Sequence, residues 1–114
     1  MNIKIGAIST SLNGEFILKK LGLLKYFDAF VDGSYLSRNN TFSELYLLNA
    51  NKLGLRPQDI LLVEEKINGI DEANKKGFIS VGINKGKEYN NSNLKINDVL
   101  EVKDIIKRLN NIAL

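Results

Sequence analysis

The chain has 114 residues, of which 44% are hydrophobic and 25% are charged, a composition ordinary for one globular domain with a buried core. It contains no Cys, which excludes disulfides, thiol catalysis and cysteine-bound metals. It contains no His, which excludes Ser-His-Asp triads and histidine-bound metals, so any acid–base catalysis falls to Asp, Glu, Lys or Tyr.

The formal net charge of +3 is spread along the chain and includes no basic run interleaved with aromatic side chains. We therefore expect no nucleic-acid partner. No apolar stretch approaches the about 20 residues that span a bilayer, and no targeting segment is recognisable. These features predict a cytoplasmic protein with a single domain over residues 1–114 and no membrane partner.

The first half of the chain alternates strand and helix patterns. Apolar runs predict strands at Ile3–Ile8 and Ala29–Val31. Asn13 is placed to cap a first helix that ends at Gly22, and Gly54 ends a second helix. The apolar side chains of the two helices recur at helical spacing: Phe16, Ile17, Leu21, Leu45, Tyr46, Leu48 and Leu53.

The second half continues the alternation. Ile60–Val63 is an uninterrupted apolar run, typical of a central parallel strand buried on both faces. Strands are also predicted at Ile79–Ile83 and, as a short edge strand, at Ile96–Val99, with a surface loop over Asn84–Leu94. Helical spacing marks two further helices through Ile67, Ile70, Ala73, Val102, Ile105, Ile106 and Leu109. The whole pattern predicts a three-layer, Rossmann-like α/β fold, with a parallel sheet of four to five strands and helices on both faces.

Three consecutive hydroxyl side chains, Ser9, Thr10 and Ser11, follow the first strand, and Asn13 comes shortly after. Ligands of α/β sheets bind beyond the carboxyl ends of the strands, so we expect these four side chains near a ligand. The pattern leaves one alternative open, a plain strand-to-helix turn in which the hydroxyls bond to the backbone.

Four segments in order along the chain together resemble the haloacid dehalogenase-like phosphohydrolase superfamily, in its β-phosphoglucomutase-like branch. The first two are Ile-Ser-Thr-Ser-Leu-Asn and Leu-Leu-Lys-Tyr-Phe-Asp-Ala-Phe-Val-Asp-Gly. The others are Leu-Gly-Leu-Arg-Pro-Gln-Asp-Ile-Leu-Leu-Val-Glu-Glu and Asn-Gly-Ile-Asp-Glu-Ala-Asn-Lys-Lys-Gly. The resemblance runs from about Ile3 to Ile83 and implies Mg²⁺-dependent phosphoryl transfer through an aspartyl-phosphate.

The resemblance also implies roles for particular residues. Ser9 corresponds to the hydroxyl that holds the phosphate, and Thr10, Ser11 and Asn13 belong to the same phosphate-binding loop. Glu64 and Glu65 correspond to the acidic pair that holds Mg²⁺, an ion that takes hard oxygen ligands. The implied ligand is a phosphate or a sugar phosphate.

The sequence departs from the family pattern in three places. No Asp-x-Asp precedes the hydroxyl strand, so we expect the nucleophile, its acid–base partner and the cap domain to be missing. Asn40 stands at the position of the family lysine, where an amide cannot neutralise a phosphate dianion, although Arg38 lies two residues earlier. Glu65 stands where Asp is usual, and its extra methylene shifts the carboxylate.

In the family, the missing first strand lies between the Ile3–Ile8 and Ile60–Val63 strands. Two outcomes are open. In the one that we favour, the flanking strands close up directly in the order 2-1-3-4-5, giving a monomer or dimer. In the other, an N-terminal partner fragment or strand exchange in a homodimer fills the gap.

Three functions are consistent with these features. The first is a truncated member of the family, a pseudoenzyme that is inactive alone and keeps a weak phosphate and Mg²⁺ site. The second is the C-terminal half of a split phosphatase or phosphoglucomutase, active only with a partner that supplies Asp-x-Asp. The third is a non-catalytic protein-interaction module.

Overall fold

The computed structural model describes residues 3–35, 42–84 and 90–113. Strands and helices alternate along these residues, as predicted. The helices are α1 (Gly14–Lys20), α2 (Phe42–Leu53), α3 (Ile67–Lys75) and α4 (Val102–Ala113). The strands are β1 (Gly6–Ile8), β2 (Ala29–Val31), β3 (Leu61–Glu64), β4 (Ile79–Ile83) and β5 (Leu94–Ile96). Within these ranges, none of the helices has the length and apolar character needed to cross a membrane.

The chain divides into two compact units, Asn2–Ile60 and Leu61–Leu114. The first unit contains β1, α1, β2 and α2, and the second contains β3, α3, β4, β5 and α4. Neighbouring strands are parallel in both units. The α/β class with parallel strands is therefore confirmed, whereas the single-domain organisation stays a prediction.

The strands form two sheets, where we expected one sheet of four to five strands. One sheet pairs β1 with β2, and the other has the order β3-β4-β5. The ladders of the described residues do not include the predicted pairing of the first strand with the third. β3 is therefore an edge strand of its sheet, and of its four residues Leu62 alone is buried, with 8% exposure. An apolar run predicts burial, but it does not specify the hydrogen-bonding partners of a strand, which is why the expected central position was wrong.

The core of the first unit forms between its two-stranded sheet and α2. The buried residues of α2 and of the adjacent β2 include Val31, Leu45, Tyr46, Ala50 and Leu53. Helical spacing predicted Leu45, Tyr46 and Leu53 of this set, whereas the predicted Leu48 is half-buried. α2 is also tied to the sheet by polar contacts, since the Asn49 side-chain amide donates to the carbonyl of Ala7 at 2.9 Å.

The helix α1 forms where predicted, but its apolar side chains stay exposed. Phe16, Ile17 and Leu21 are 62%, 48% and 64% exposed. Gly22 follows the helix with a φ of 71°, a left-handed conformation that glycine adopts without a steric penalty. Helical spacing thus predicted the helix correctly, and Gly22 predicted its end.

The core of the second unit lies between α3 and its three-stranded sheet, where Ile70, Ala73, Phe78, Val81 and Ile96 are buried. Two polar residues of the predicted surface loop, Asn90 and Ser92, are buried as well. The side chain of Asn90 accepts hydrogen bonds from the backbone and hydroxyl of Ser92, which removes the cost of burying these polar groups.

The last strand begins two residues before the predicted Ile96–Val99 and ends three residues before it. Asp98 accepts a hydrogen bond from the N–H of Leu100 at 2.9 Å, and Glu101 accepts one from the N–H of Asp98 at 2.9 Å. This capping box starts a helical turn at Val99, so the strand ends at Ile96.

Candidate functional site

The candidate site of the first unit is the segment Ser9–Asn13, called here the hydroxyl loop. The N–H of Ser9 donates to the carbonyl of Val31 at 3.0 Å, so parallel pairing holds the start of the loop against β2. Ser9 is half-buried, and the remaining four residues of the loop are exposed. The structure thus brings Ser9, Thr10, Ser11 and Asn13 together at the carboxyl end of a strand.

Two side-chain hydroxyls shape the loop from within. The Ser9 hydroxyl accepts a hydrogen bond from the N–H of Ser11 at 3.1 Å, and the Ser11 hydroxyl accepts one from the N–H of Asn13 at 3.1 Å. These are the contacts of the plain strand-to-helix turn. A hydroxyl that accepts a hydrogen bond retains its own O–H donor, so the same geometry is compatible with donation to an anion.

Asn13 lies at the N-cap position of α1 but makes no side-chain capping bond, in contrast to the prediction. The cap comes from another element, because the N–H of Glu15 donates to the Asp32 carboxylate at 3.0 Å. Asn13 has a φ of −110° and a ψ of 12°, outside the extended conformation typical of a capping residue. A carboxylate from beyond β2 therefore takes the role that we expected of Asn13.

Asp32 is the residue at this site that the sequence analysis missed. Its side chain is 2% exposed and also accepts hydrogen bonds from the hydroxyl and the N–H of Ser34, at 2.5 Å and 2.9 Å. The Ser34 hydroxyl is the main reason that the Asp32 pKa lies below its usual value. Burial raises this pKa, whereas the N–H groups of Glu15 and Ser34 and the charge of Lys52 lower it further. An Asp directly after a strand, with Gly next and Ser two residues on, was the available signal of a side-chain-closed turn.

A cationic side chain lies close to this turn. Lys52, near the end of α2, donates to the Tyr35 hydroxyl at 2.9 Å, and its Nζ atom is 4.4 Å from the centroid of the Tyr35 ring. The position of the family lysine, Asn40, and the neighbouring Arg38 lie outside the described residues.

The predicted acidic pair belongs to the second unit. Glu64 is the last residue of β3, and its carboxylate accepts hydrogen bonds from the N–H groups of Glu65 and Lys66, at 2.9 Å and 3.0 Å. The Glu64 carboxylate thus shapes the turn that leads into α3. Glu64 is half-buried, and Glu65 is exposed.

The acidic pair offers oxygen ligands of the kind that Mg²⁺ prefers, and this ion is often held by one or two protein carboxylates together with phosphate and water. Among the residues that the structure describes, no cluster of three or more metal-binding side chains forms. Two N–H groups contact one oxygen of Glu64, and the two carboxylates of the pair are compatible with a Mg²⁺ site.

Comparison with known proteins gives the site a family context, although no family model matches the chain. The chain is 33% identical to the β-phosphoglucomutase of Bacillus subtilis over 86 residues. This aligned segment covers 75% of this chain and 38% of that protein. It is 30% identical over 79 residues to a fructose-1-phosphate phosphatase of Escherichia coli, covering 69% of this chain and 42% of that protein. The chain is a relative of the haloacid dehalogenase-like superfamily, in its β-phosphoglucomutase-like branch.

Solved structures agree with this assignment. The crystal structure of β-phosphoglucomutase from Clostridium difficile superposes with a TM-score of 0.79 at 30% identity, over 98% of this chain and 51% of that one. A phosphatase from Thermococcus onnurineus shares the fold, with a TM-score of 0.78 at 23% identity. This haloacid dehalogenase-like chain therefore spans about half the length of the structures that it matches, and 38% of the Bacillus subtilis relative.

Proposed function

We propose that this chain carries the phosphate-holding part of a sugar-phosphate phosphatase or phosphoglucomutase. One observation carries the proposal: the hydroxyl loop follows a parallel strand and gathers hydroxyl and amide side chains at the strand's carboxyl end. The names of the relatives support a phosphorylated small molecule as the ligand, since they include a phosphoglucomutase and phosphatases of phosphoglycolate and fructose 1-phosphate.

In this proposal the hydroxyl loop binds phosphate through neutral donors. The hydroxyl oxygens of Ser9 and Ser11 accept backbone hydrogen bonds within the loop, so their O–H groups would donate hydrogen bonds to a phosphate oxygen. The Asn13 amide adds a third neutral donor. Neutral donors orient a dianion without balancing its charge, so we expect weak binding by the chain alone.

Phosphoryl transfer needs more than this loop. The 114 residues contain no Asp-x-Asp, so the proposal assigns the aspartyl nucleophile and its acid–base partner to a further segment. Glu64 and Glu65 of the second unit would hold Mg²⁺, an ion that supplies charge neutralisation in phosphoryl transfer when it is bound. We therefore expect the chain alone to be inactive as a phosphatase.

The binding part of the proposal is tested by NMR titration of the chain with inorganic phosphate, fructose 1-phosphate and phosphoglycolate. We expect the backbone amides of the hydroxyl loop to shift. A Ser9→Ala, Ser11→Ala double variant removes two hydrogen bonds of about 0.5–1.5 kcal/mol each, so its affinity should fall by about fivefold or more. Ser92→Ala, which removes a hydroxyl in the second unit, is the matched control.

A titration without a response in the hydroxyl loop would refute phosphate binding and would favour the non-catalytic interaction module. Activity is tested separately, by assaying phosphate release with Mg²⁺ for the chain alone and for the chain mixed with a polypeptide that supplies the Asp-x-Asp strand. Release by the mixture, together with a complex on gel filtration, would support the split enzyme. Release by the chain alone would contradict its expected inactivity.

A further inference from the structure

Two residues after β2 fasten the hydroxyl loop to the rest of its unit. The N–H of Gly33 donates to the carbonyl of Ser11 at 2.9 Å, in the middle of the loop. The Asp32 carboxylate accepts from the N–H of Glu15 at 3.0 Å, two residues after the end of the loop. The conformation of the loop is therefore determined in part by a dipeptide that lies 19 residues or more along the chain from Asn13.

Gly33 allows a very close approach of the two backbones. A Cβ atom built on Gly33 would overlap the carbonyl oxygen of Thr10 and would lie 3.1 Å from the carbonyl carbon of the same residue. Both contacts are with backbone atoms of the hydroxyl loop, which cannot rotate away as the end of a side chain can. A methyl group at this position would therefore displace the loop itself.

The two oxygens of Asp32 face in different directions. Oδ2 accepts from the N–H of Glu15, while Oδ1 accepts from the hydroxyl and the N–H of Ser34. A carboxylate accepts on both oxygens, whereas an amide has one acceptor and one donor end. Ser34 offers two donors and Glu15 offers one, so in an Asn variant the amide oxygen would stay with Ser34. The NH₂ group would then face the N–H of Glu15, and the connection to Glu15 would be lost.

We propose that Asp32 and Gly33 are positioning residues for phosphate binding by the hydroxyl loop: they hold the loop in the conformation in which its hydroxyls and the Asn13 amide act together. Neither residue contacts the ligand in this scheme. The inference rests on the proposed function of the loop, but the position of the loop can also be measured without a ligand.

The charge of Asp32 allows a decisive test of this role. A buried carboxylate repels a phosphate dianion bound nearby, so removal of the charge alone would tighten phosphate binding. Loss of the loop conformation would weaken it. The positioning role therefore predicts weaker binding for Asp32→Asn, and a purely electrostatic role predicts tighter binding.

The experiment is an NMR titration of the 114-residue chain and its variants with inorganic phosphate. We expect Gly33→Ala and Asp32→Asn each to weaken phosphate affinity at least fivefold. In both variants the unliganded amides of Ser9–Asn13 should shift, and the Glu15 amide should move specifically in Asp32→Asn because its acceptor changes.

Three matched controls separate positioning from general damage. Ser34→Ala removes the hydroxyl bond to Asp32 but keeps the bond to Glu15, and it should retain phosphate affinity within twofold. Asp28→Asn alters a carboxylate that accepts from the N–H of Ile5, at the opposite end of β1, and should also retain affinity. Gly82→Ala crowds the Ser92 hydroxyl in the second unit with a comparable clash, and should cost stability without loss of affinity.

The possible failures of the two proposals are distinguishable. If the wild-type chain binds phosphate and Asp32→Asn binds it as tightly or more tightly, the positioning role is overturned and the proposed function stands. If the wild-type chain does not bind phosphate, the proposed function fails, and unchanged loop amides in the two variants would also overturn the positioning role. If Gly33→Ala does not fold, Asp32→Asn carries the test because it adds no volume.

Discussion

The two units of the molecule hold a loop against a sheet by different chemistry. In the first unit, the charged carboxylate of Asp32 accepts three hydrogen bonds and joins two turns. In the second unit, two uncharged groups connect the loop to the sheet: the buried hydroxyl of Ser80 and the side-chain amide of Asn93. Ser80 accepts from the N–H of Asn93 at 3.0 Å, and the N–H of Ser80 donates to the Asn93 side chain at 2.9 Å.

The difference teaches how each connection responds to its surroundings. Hydrogen bonds to a charged acceptor are stronger, but they weaken when the acceptor is protonated. A neutral pair is insensitive to pH over the range in which carboxylates titrate, and it requires that every buried donor and acceptor be paired. That condition is met, since every fully buried side-chain nitrogen and oxygen of the described residues has a partner.

The largest expected effects come from the cores, which the two units build alike. Leu45→Ala in the first unit and Ile70→Ala in the second each remove a fully buried side chain. We expect either substitution to lower the free energy of unfolding by about 2–5 kcal/mol because each leaves a cavity. Urea denaturation measures the loss, with the 77% exposed Leu100→Ala as a control that should change little. A loss below 1 kcal/mol in one unit only would show that its core is not packed as described.

The connection in the first unit is tested by Asp32→Asn, which we expect to lower the free energy of unfolding by about 1–3 kcal/mol at pH 7. The Asp32 pKa is lowered on folding, so its stabilisation is present above the usual value of 3.8 and is lost as the pH falls through the folded-state pKa. The stability difference between wild type and variant should therefore shrink below about pH 4. Denaturation from pH 7 to pH 2.5 measures it, and a constant difference would contradict a charged Asp32.

The neutral connection of the second unit is tested by Ser80→Ala. The substitution leaves the N–H of Asn93 without its acceptor and the Asn74 side chain without a donor at 2.6 Å. We expect a loss of about 1–2 kcal/mol in the free energy of unfolding, the same at pH 7 and pH 3. If this loss varied with pH as that of Asp32→Asn does, the contrast between the two units would fail.

The smallest expected effect is at the surface. Arg56 and Asp59 form an ion pair at 3.0 Å between side chains that are 72% and 47% exposed. Arg56→Ala should change the free energy of unfolding by about 0–1 kcal/mol, and the change should vanish in 1 M salt. A larger effect that persists in salt would show that the Arg56 side chain stabilises the turn by packing. Lys75→Ala, which removes an ion pair with the half-exposed Glu72, is a control of the same kind.

The sequence by itself determined the order of the elements, the parallel α/β class and the family. Local patterns carry this information: helical spacing placed α2 and α3, Gly22 ended α1, and the run of hydroxyls marked the loop after β1. Ser9, Thr10, Ser11 and Asn13 could be grouped in advance because they are neighbours in the chain. Their role in phosphate binding, and that of Glu64 and Glu65 in Mg²⁺ binding, stay predictions.

Only the tertiary structure decided which strands pair and which residues hold the hydroxyl loop. β3 lies at the edge of its sheet although its apolar run is typical of a central strand, because hydrogen-bonding partners depend on the whole fold. Asp32, 17 residues along the chain from Glu15, caps α1 in place of Asn13. Local patterns report how a segment prefers to fold, whereas contacts of this kind arise only when distant segments pack together, and no spacing rule within one segment reveals them.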